Sequence, residues 1–100
     1  MRLARVVGQV VSTVKNPSFD SLRILLVRDL QHVDPATDPD DGMPYAVADP
    51  IGAGDGELVV VVQGSAGLAA LKPLDVPTDA AIVAIIDSVA YQRRVLYSKE

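Results

Sequence analysis

The chain has 100 residues, a formal charge of −4, and a composition that is 49% hydrophobic but only 4% aromatic, with no cysteine. A single small domain is expected, with a modest core of Val, Ile, Leu and Ala, and the acidic balance argues against a non-specific nucleic-acid binder, which needs a basic footprint. Without thiols there is no disulfide framework, iron–sulfur cluster or thiolate zinc site.

So apolar a composition exceeds what a small body hides internally, and burial against further copies of the chain is the expected remedy. No apolar stretch approaches the ~20 residues that a membrane span requires. The sequence therefore reads as soluble and intracellular.

From Leu3 to Lys15 the chain offers Val6, Val7, Val10, Val11, Thr13 and Val14 with Gly8 inside the run. A glycine within a strand marks a bulge or sharp bend, which predicts one long, bent strand. Asn16-Pro17-Ser18 supplies a turn. Leu22 to Leu30 is the second strand, with Arg23 and Arg28 expected outward in solvent. Gln31 to Pro44 has loop composition and carries Asp34, Asp38, Asp40 and Asp41, which read as a mobile acidic loop. It lacks the ligand register and terminal glutamate of an EF-hand, so no metal is expected there.

Tyr45 to Asp49 predicts a short third strand that leads into Asp49-Pro50-Ile51-Gly52-Ala53-Gly54-Asp55-Gly56-Glu57, the stretch around which the rest is organised. Gly52, Gly54 and Gly56 allow positive φ or the close approach of another backbone. The β-branched run up to Val62 then predicts a buried fourth strand over Glu57 to Gln63, closed by Gly64-Ser65. Ser65 to Leu71 predicts a short helix with Ser65 as its N-cap and Lys72-Pro73 as its stop; Leu74 to Pro77 is a linker. Asp79 to Asp87 is the fifth strand, apolar on both faces and hence expected to be covered on both. The tail from Tyr91 to Glu100 alternates weakly, as an edge strand added to a neighbouring copy would.

Five short strands with one small helix predict an all-β fold, a compact OB-like barrel. The expected organisation is one domain over residues 1–100, with the barrel about 1–89 and a tail over 90–100.

The glycine loop is the first place to look for chemistry. A dinucleotide fingerprint needs Gly-x-Gly-x-x-Gly between a strand and a helix. Here the spacing is Gly-x-Gly-x-Gly, a strand follows, and Asp55 and Glu57 repel phosphate. A Walker loop fails for want of Gly-Lys-Ser/Thr. Ser65 lies outside the frame of a nucleophile elbow, and His32, the one imidazole, lies in the acidic loop, so a Ser/His/Asp triad is not expected. Asp49, Glu57 and Asp87 show no spacing that demands acid–base work; Asp87 reads as a turn residue or an acceptor for backbone amides. No cofactor and no catalytic residue is expected. An OB-like module that binds nucleic acid or a small ligand is the alternative, but Phe19, Tyr45, Tyr91 and Tyr97 do not cluster on a core strand.

Read together, Met1 to Lys15, Leu25-Leu26-Val27, Ala48 to Glu57, Gly64-Ser65-Ala66 and Pro77 to Asp87 resemble, in order and separation, the bacterial microcompartment vertex protein family, the ethanolamine-utilisation and carboxysome vertex proteins. Gly67 and Leu68 stand near the place where that family carries an arginine, and the acidic loop is longer than is usual in it. The resemblance implies a five-stranded OB-like barrel assembled as a cyclic homopentamer. Such a ring would be a structural shell protein at the five-fold vertices of a polyhedral shell in the cytoplasm. Its partners would be hexameric and trimeric shell proteins, with no nucleic acid and no membrane. A cyclic ring needs two different patches that meet between copies. Gly52, Gly54, Gly56, Glu57, Gly64, Ser65 and Ala66 are the residues expected at that contact or at the central opening.

Overall fold

The computed structural model describes residues 1–11, 23–71 and 80–99. The elements run β1 (Arg2–Val10), β2 (Arg23–Asp29), β3 (Tyr45–Asp49), β4 (Leu58–Val62), α1 (Ser65–Leu71), β5 (Ala81–Ile85), β6 (Ser88–Tyr91) and β7 (Arg94–Ser98). The far end of the expected first strand, the Asn16-Pro17-Ser18 turn, Phe19 and the Leu74 to Pro77 linker lie outside the described residues.

Alternation decides which side chains enter the core. Ala4 and Val6 of β1 and Leu25 and Val27 of β2 point inward at period two and are fully or almost fully buried. β1 to β5 form a closed barrel in the order β1-β2-β3-β5-β4, sealed where β4 pairs with β1 from Arg2↔Val61 to Arg5↔Leu58. Closure leaves these strands no long free edge within the barrel.

Three of the barrel's devices follow from particular residues. In the β1–β2 ladder the register slips between Val6↔Val27 and Gly8↔Leu26, leaving Val7 as the extra residue. The expected bend is therefore a bulge, and it lets one strand serve both β4 and β2. The second device is the one parallel contact, between β3 and β5 at Ala48↔Ala81. Parallel neighbours need a crossover, and α1 lies on the connection, with Leu71 packed on the two small residues Ala48 and Ala81. The third is another slip, between Val60 and Val61 on β4, which makes Val83 the extra residue of β5. Val83 is 39% exposed while Ala81 and Ile82 are buried. β5 is therefore covered on both faces only in its first half, which corrects the expectation from its apolar sequence.

The tail also differs from expectation. It does not form a lone edge strand: β6 and β7 pair with each other from Ser88↔Ser98 to Tyr91↔Arg94. Gln92 and Arg93, at φ of 51° and 67°, make the two-residue turn between them. A two-residue hairpin loop with positive φ at both central positions is the I′ geometry, whose handedness matches the strand twist.

Candidate functional site

The glycine loop is built on Asp49, the one buried charged residue among those described, at 3% exposure. Its Oδ1 accepts the N–H groups of Ile51 at 3.1 Å and Gly52 at 3.0 Å, and its Oδ2 accepts that of Ala53 at 2.8 Å. The Arg23 guanidinium approaches the same carboxylate at 3.7 Å. An aspartate that opens a turn can bind its own following amides. A buried anion with three N–H donors and a cation is satisfied where a bare one would be costly.

The remainder of the loop is tied down in the same manner. Gly54 N–H donates to Glu57 Oε1 at 2.6 Å, while Glu57 Oε2 accepts from the Lys99 ammonium. Gly56 N–H donates to Val6 O and Val6 N–H donates to Glu57 O, both at 2.9 Å. Arg5 adds a bond from its guanidinium to Gly56 O at 2.9 Å. Beneath these contacts Ala53 is fully buried in the barrel core. The amides that a phosphate would need are engaged by the chain's own carboxylates, and the loop plugs this end of the barrel.

The three glycines serve different ends. Gly52 and Gly56 have φ of +90° and +82°, with nothing close to where a Cβ would sit, so backbone conformation alone selects them. At Gly54 the reason is space: a Cβ would lie 3.1 Å from Glu57 Oε1.

Charge follows the same contacts. The Lys99 ammonium, and then the Gly54 N–H, hold Glu57 below the usual carboxylate range; Glu57 in turn raises Lys99. Since Lys99 follows β7 and its N–H donates to Asp87 O at 2.8 Å, this pair fastens the base of the hairpin to the glycine loop. Asp87 is thus an acceptor at a turn, through its backbone carbonyl.

Gly64, Ser65 and Ala66 do not join this arrangement. They are exposed at the start of α1, with Gly64 at φ +66°, and Gly67 N–H donates to Gln63 O at 3.4 Å. Glu57 stands before β4 and Gly64 after it, so a strand roughly 17 Å long separates the two groups. The expected site residues fall in two groups at opposite ends of one strand.

Sequence reasoning missed the parts played by Asp49 and Lys99, and it misjudged Arg28. Arg28 is not solvated outward: its Nε donates to Gly42 O at 2.6 Å and its NH1 to Asp40 O at 3.0 Å. Asp38 accepts N–H groups from Gln31, His32 and Asp40. Burial pushes its carboxyl up, and those donors outweigh burial and hold it below the usual range. Asp34 accepts from Ala36 N–H at 2.9 Å, and Asp41 from Gln31 Nε2 at 2.7 Å. His32 Nδ1 lies 2.9 Å from Thr37 O. The acidic loop is thus a folded element whose aspartates bind its own backbone. At the same end Tyr45 OH donates to Asp29 Oδ1 at 2.6 Å, and Asp29 Oδ2 accepts from Arg2 at 2.7 Å. Partial burial, then the bond to Asp29, raise the phenol.

A closed barrel of five short strands, stoppered by a loop whose polar groups bind one another, is the fold that the solved microcompartment shell proteins share with this chain. The chain belongs to the family described as ethanolamine utilisation protein EutN/carboxysome, whose model matches residues 1–87. It is 40% identical to the carboxysome shell vertex protein CcmL of Nostoc sp., over 100% of this chain and 96% of that one. The solved EutN of Escherichia coli superposes with a TM-score of 0.84 at 33% identity, covering 99% of this chain and 98% of that one. The pentameric microcompartment shell protein GrpN of Rhodospirillum rubrum gives a TM-score of 0.74 at 38% identity, covering 91% and 99%. These relatives are shell vertex proteins, not enzymes.

Proposed function

We propose that this chain is a single vertex domain that closes into a homopentamer and caps the five-fold vertices of a bacterial microcompartment shell in the cytoplasm. The observation that carries this reading is the likeness, over nearly the whole chain, to a relative solved as a pentameric shell protein. The surface supports it: Val10, Val11, Ile51, Val83, Tyr91 and Val95 are all exposed, on a chain with few aromatics to spend outside a core. The role is geometric. A pentamer closes the curvature that a layer of hexameric and trimeric shell proteins leaves open, and those proteins are its partners; neither nucleic acid nor membrane has a part in it.

Both ends of β4 remain in the proposed contacts. Gly52, Gly54 and Gly56, with Glu57 directly after them, keep the barrel end free of bulk where a neighbouring copy or the central opening lies. Gly64, Ser65 and Ala66 present small residues at the exposed start of α1.

Native mass spectrometry of the purified chain tests the ring. A species of five times the 10.6 kDa chain mass is expected; a monomer at high micromolar concentration overturns the reading. Co-expression with hexameric shell proteins then tests the cap: closed polyhedra are expected with the chain, and open sheets or tubes without it.

A further inference from the structure

The β6–β7 hairpin is an element without a core of its own. Its strands pack on each other and on no barrel strand to any comparable extent; the Lys99–Asp87 backbone bond closes its own base, and the Lys99–Glu57 ion pair ties that base to the glycine loop. A lone two-stranded hairpin is marginal in water. This one also places Gln92 and Arg93, neither a favoured residue there, in a turn that requires positive φ twice. Yet it carries Tyr91 at 54% exposure on one face and Val95 at 70% on the other. Something must cover it, and its charge says what. The tip places Arg93 and Arg94 side by side on a chain of net charge −4.

The β2–β3 loop offers the complementary surface, four aspartates (Asp34, Asp38, Asp40 and Asp41) with Arg28 as the cation engaged among them. β2 runs out into that loop and β5 runs out into the hairpin. The ladders make β1 antiparallel to β2 and to β4, and β4 antiparallel to β5, so the two exits lie at opposite ends of the barrel. One copy cannot satisfy both patches by itself, and head-to-tail contact between unlike patches is what closes a ring.

We infer that the hairpin is the arm of the subunit contact: Tyr91, on the same face as its pair partner Arg94, lies against the next copy, and Arg93 and Arg94 engage its Asp34–Asp41 loop. This rests on the ring proposed above. The test uses the full chain and compares it by native mass spectrometry with Tyr91→Ser, with Arg93→Glu/Arg94→Glu, and with Asp40→Arg/Asp41→Arg, alone and combined with the hairpin charge reversal. Far-UV circular dichroism and barrel amide exchange report folding for each. At least about a tenfold loss of ring is expected from each variant at a concentration where the parent is fully assembled. Recovery is expected when both reversals share one chain. Folded hairpin variants that keep the ring overturn the inference while the pentamer stands, and loss of the ring without recovery overturns the acidic loop as its seat. A parent chain that forms no ring overturns the pentamer itself.

Discussion

Gly54 N–H donates to Glu57 Oε1 at 2.6 Å, and a Cβ on Gly54 would stand 3.1 Å from that same oxygen. The bond and the steric limit therefore act on one atom. Gly54→Val is expected to push the Glu57 carboxylate off its amide and away from Lys99, loosening the hairpin base. The melting temperature should fall by a few degrees with the β signature in circular dichroism kept, and Lys99 amide exchange should speed up. An unchanged Lys99 exchange rate would show that the carboxylate moves aside freely. Gly54 thus has a part to play within its own subunit, in addition to the place at the subunit contact or central opening proposed for it.

Gly56→Ala separates conformation from crowding. Nothing lies near its Cβ position, so the whole cost is that of holding an L-residue at φ +82°, about 1–2 kcal/mol. Denaturant titration is expected to lower the midpoint with the slope unchanged; an unchanged midpoint would remove the backbone argument for this loop.

Asp49→Asn keeps the shape of the side chain but replaces one of two acceptor oxygens with an amide donor. One or more of the N–H groups of Ile51, Gly52 and Ala53 then loses its partner, and Arg23 loses its anion. The expected destabilisation is about 2–3 kcal/mol, with faster exchange confined first to residues 51–53. Urea unfolding measures the first and amide exchange the second.

The Glu57–Lys99 pair sets a pH window. Glu57 is lowered in the folded chain, so its contribution is present above the ordinary carboxylate range and is lost as pH falls through the depressed value. Lys99 is raised, so its contribution is present below the ordinary amine value and is lost as pH rises through the elevated one. The hairpin base should hold across neutral pH and loosen at both extremes. Carboxyl-carbon NMR should follow Glu57 titrating low in the parent chain and closer to its usual range in Lys99→Met, where the Gly54 N–H still holds it down; equal titration in both would remove Lys99 as the cause.

The hairpin turn is open to improvement. Asn enters the positive-φ region more readily than Gln, so Gln92→Asn is expected to stabilise the hairpin by about 0.5 kcal/mol. It should slow exchange across the Val89↔Tyr97 pairs while leaving the barrel untouched. Faster exchange there would show that Gln92 makes contacts Asn cannot replace.

Period and punctuation along the chain determined a good deal. Tyr45–Asp49 and Ser65–Leu71 match the expected third strand and helix residue for residue, β2, β4 and β5 lie within their expected runs, and β1 begins one residue ahead of the expected Leu3. The bend near Gly8 was legible because glycine among valines has few other uses in a strand. Asp49 was legible too, as an aspartate just ahead of free amides, but it was weighed for acid–base chemistry instead of for turn-making.

The hairpin was not legible, because Gln92-Arg93 lacks the Asn-Gly sign that such turns carry, and a pair with weak local preference forms only when the flanking strands hold it. Nor was the partial cover of β5: an apolar run states that a strand wants burial, while the slip beside Val60 decides that Val83 turns outward. Local preference acts over a few residues and is written in them. Lys99 meeting Glu57, 42 positions earlier, depends on a closed barrel that brings the two ends of the chain to one place, and only the folded structure contains that.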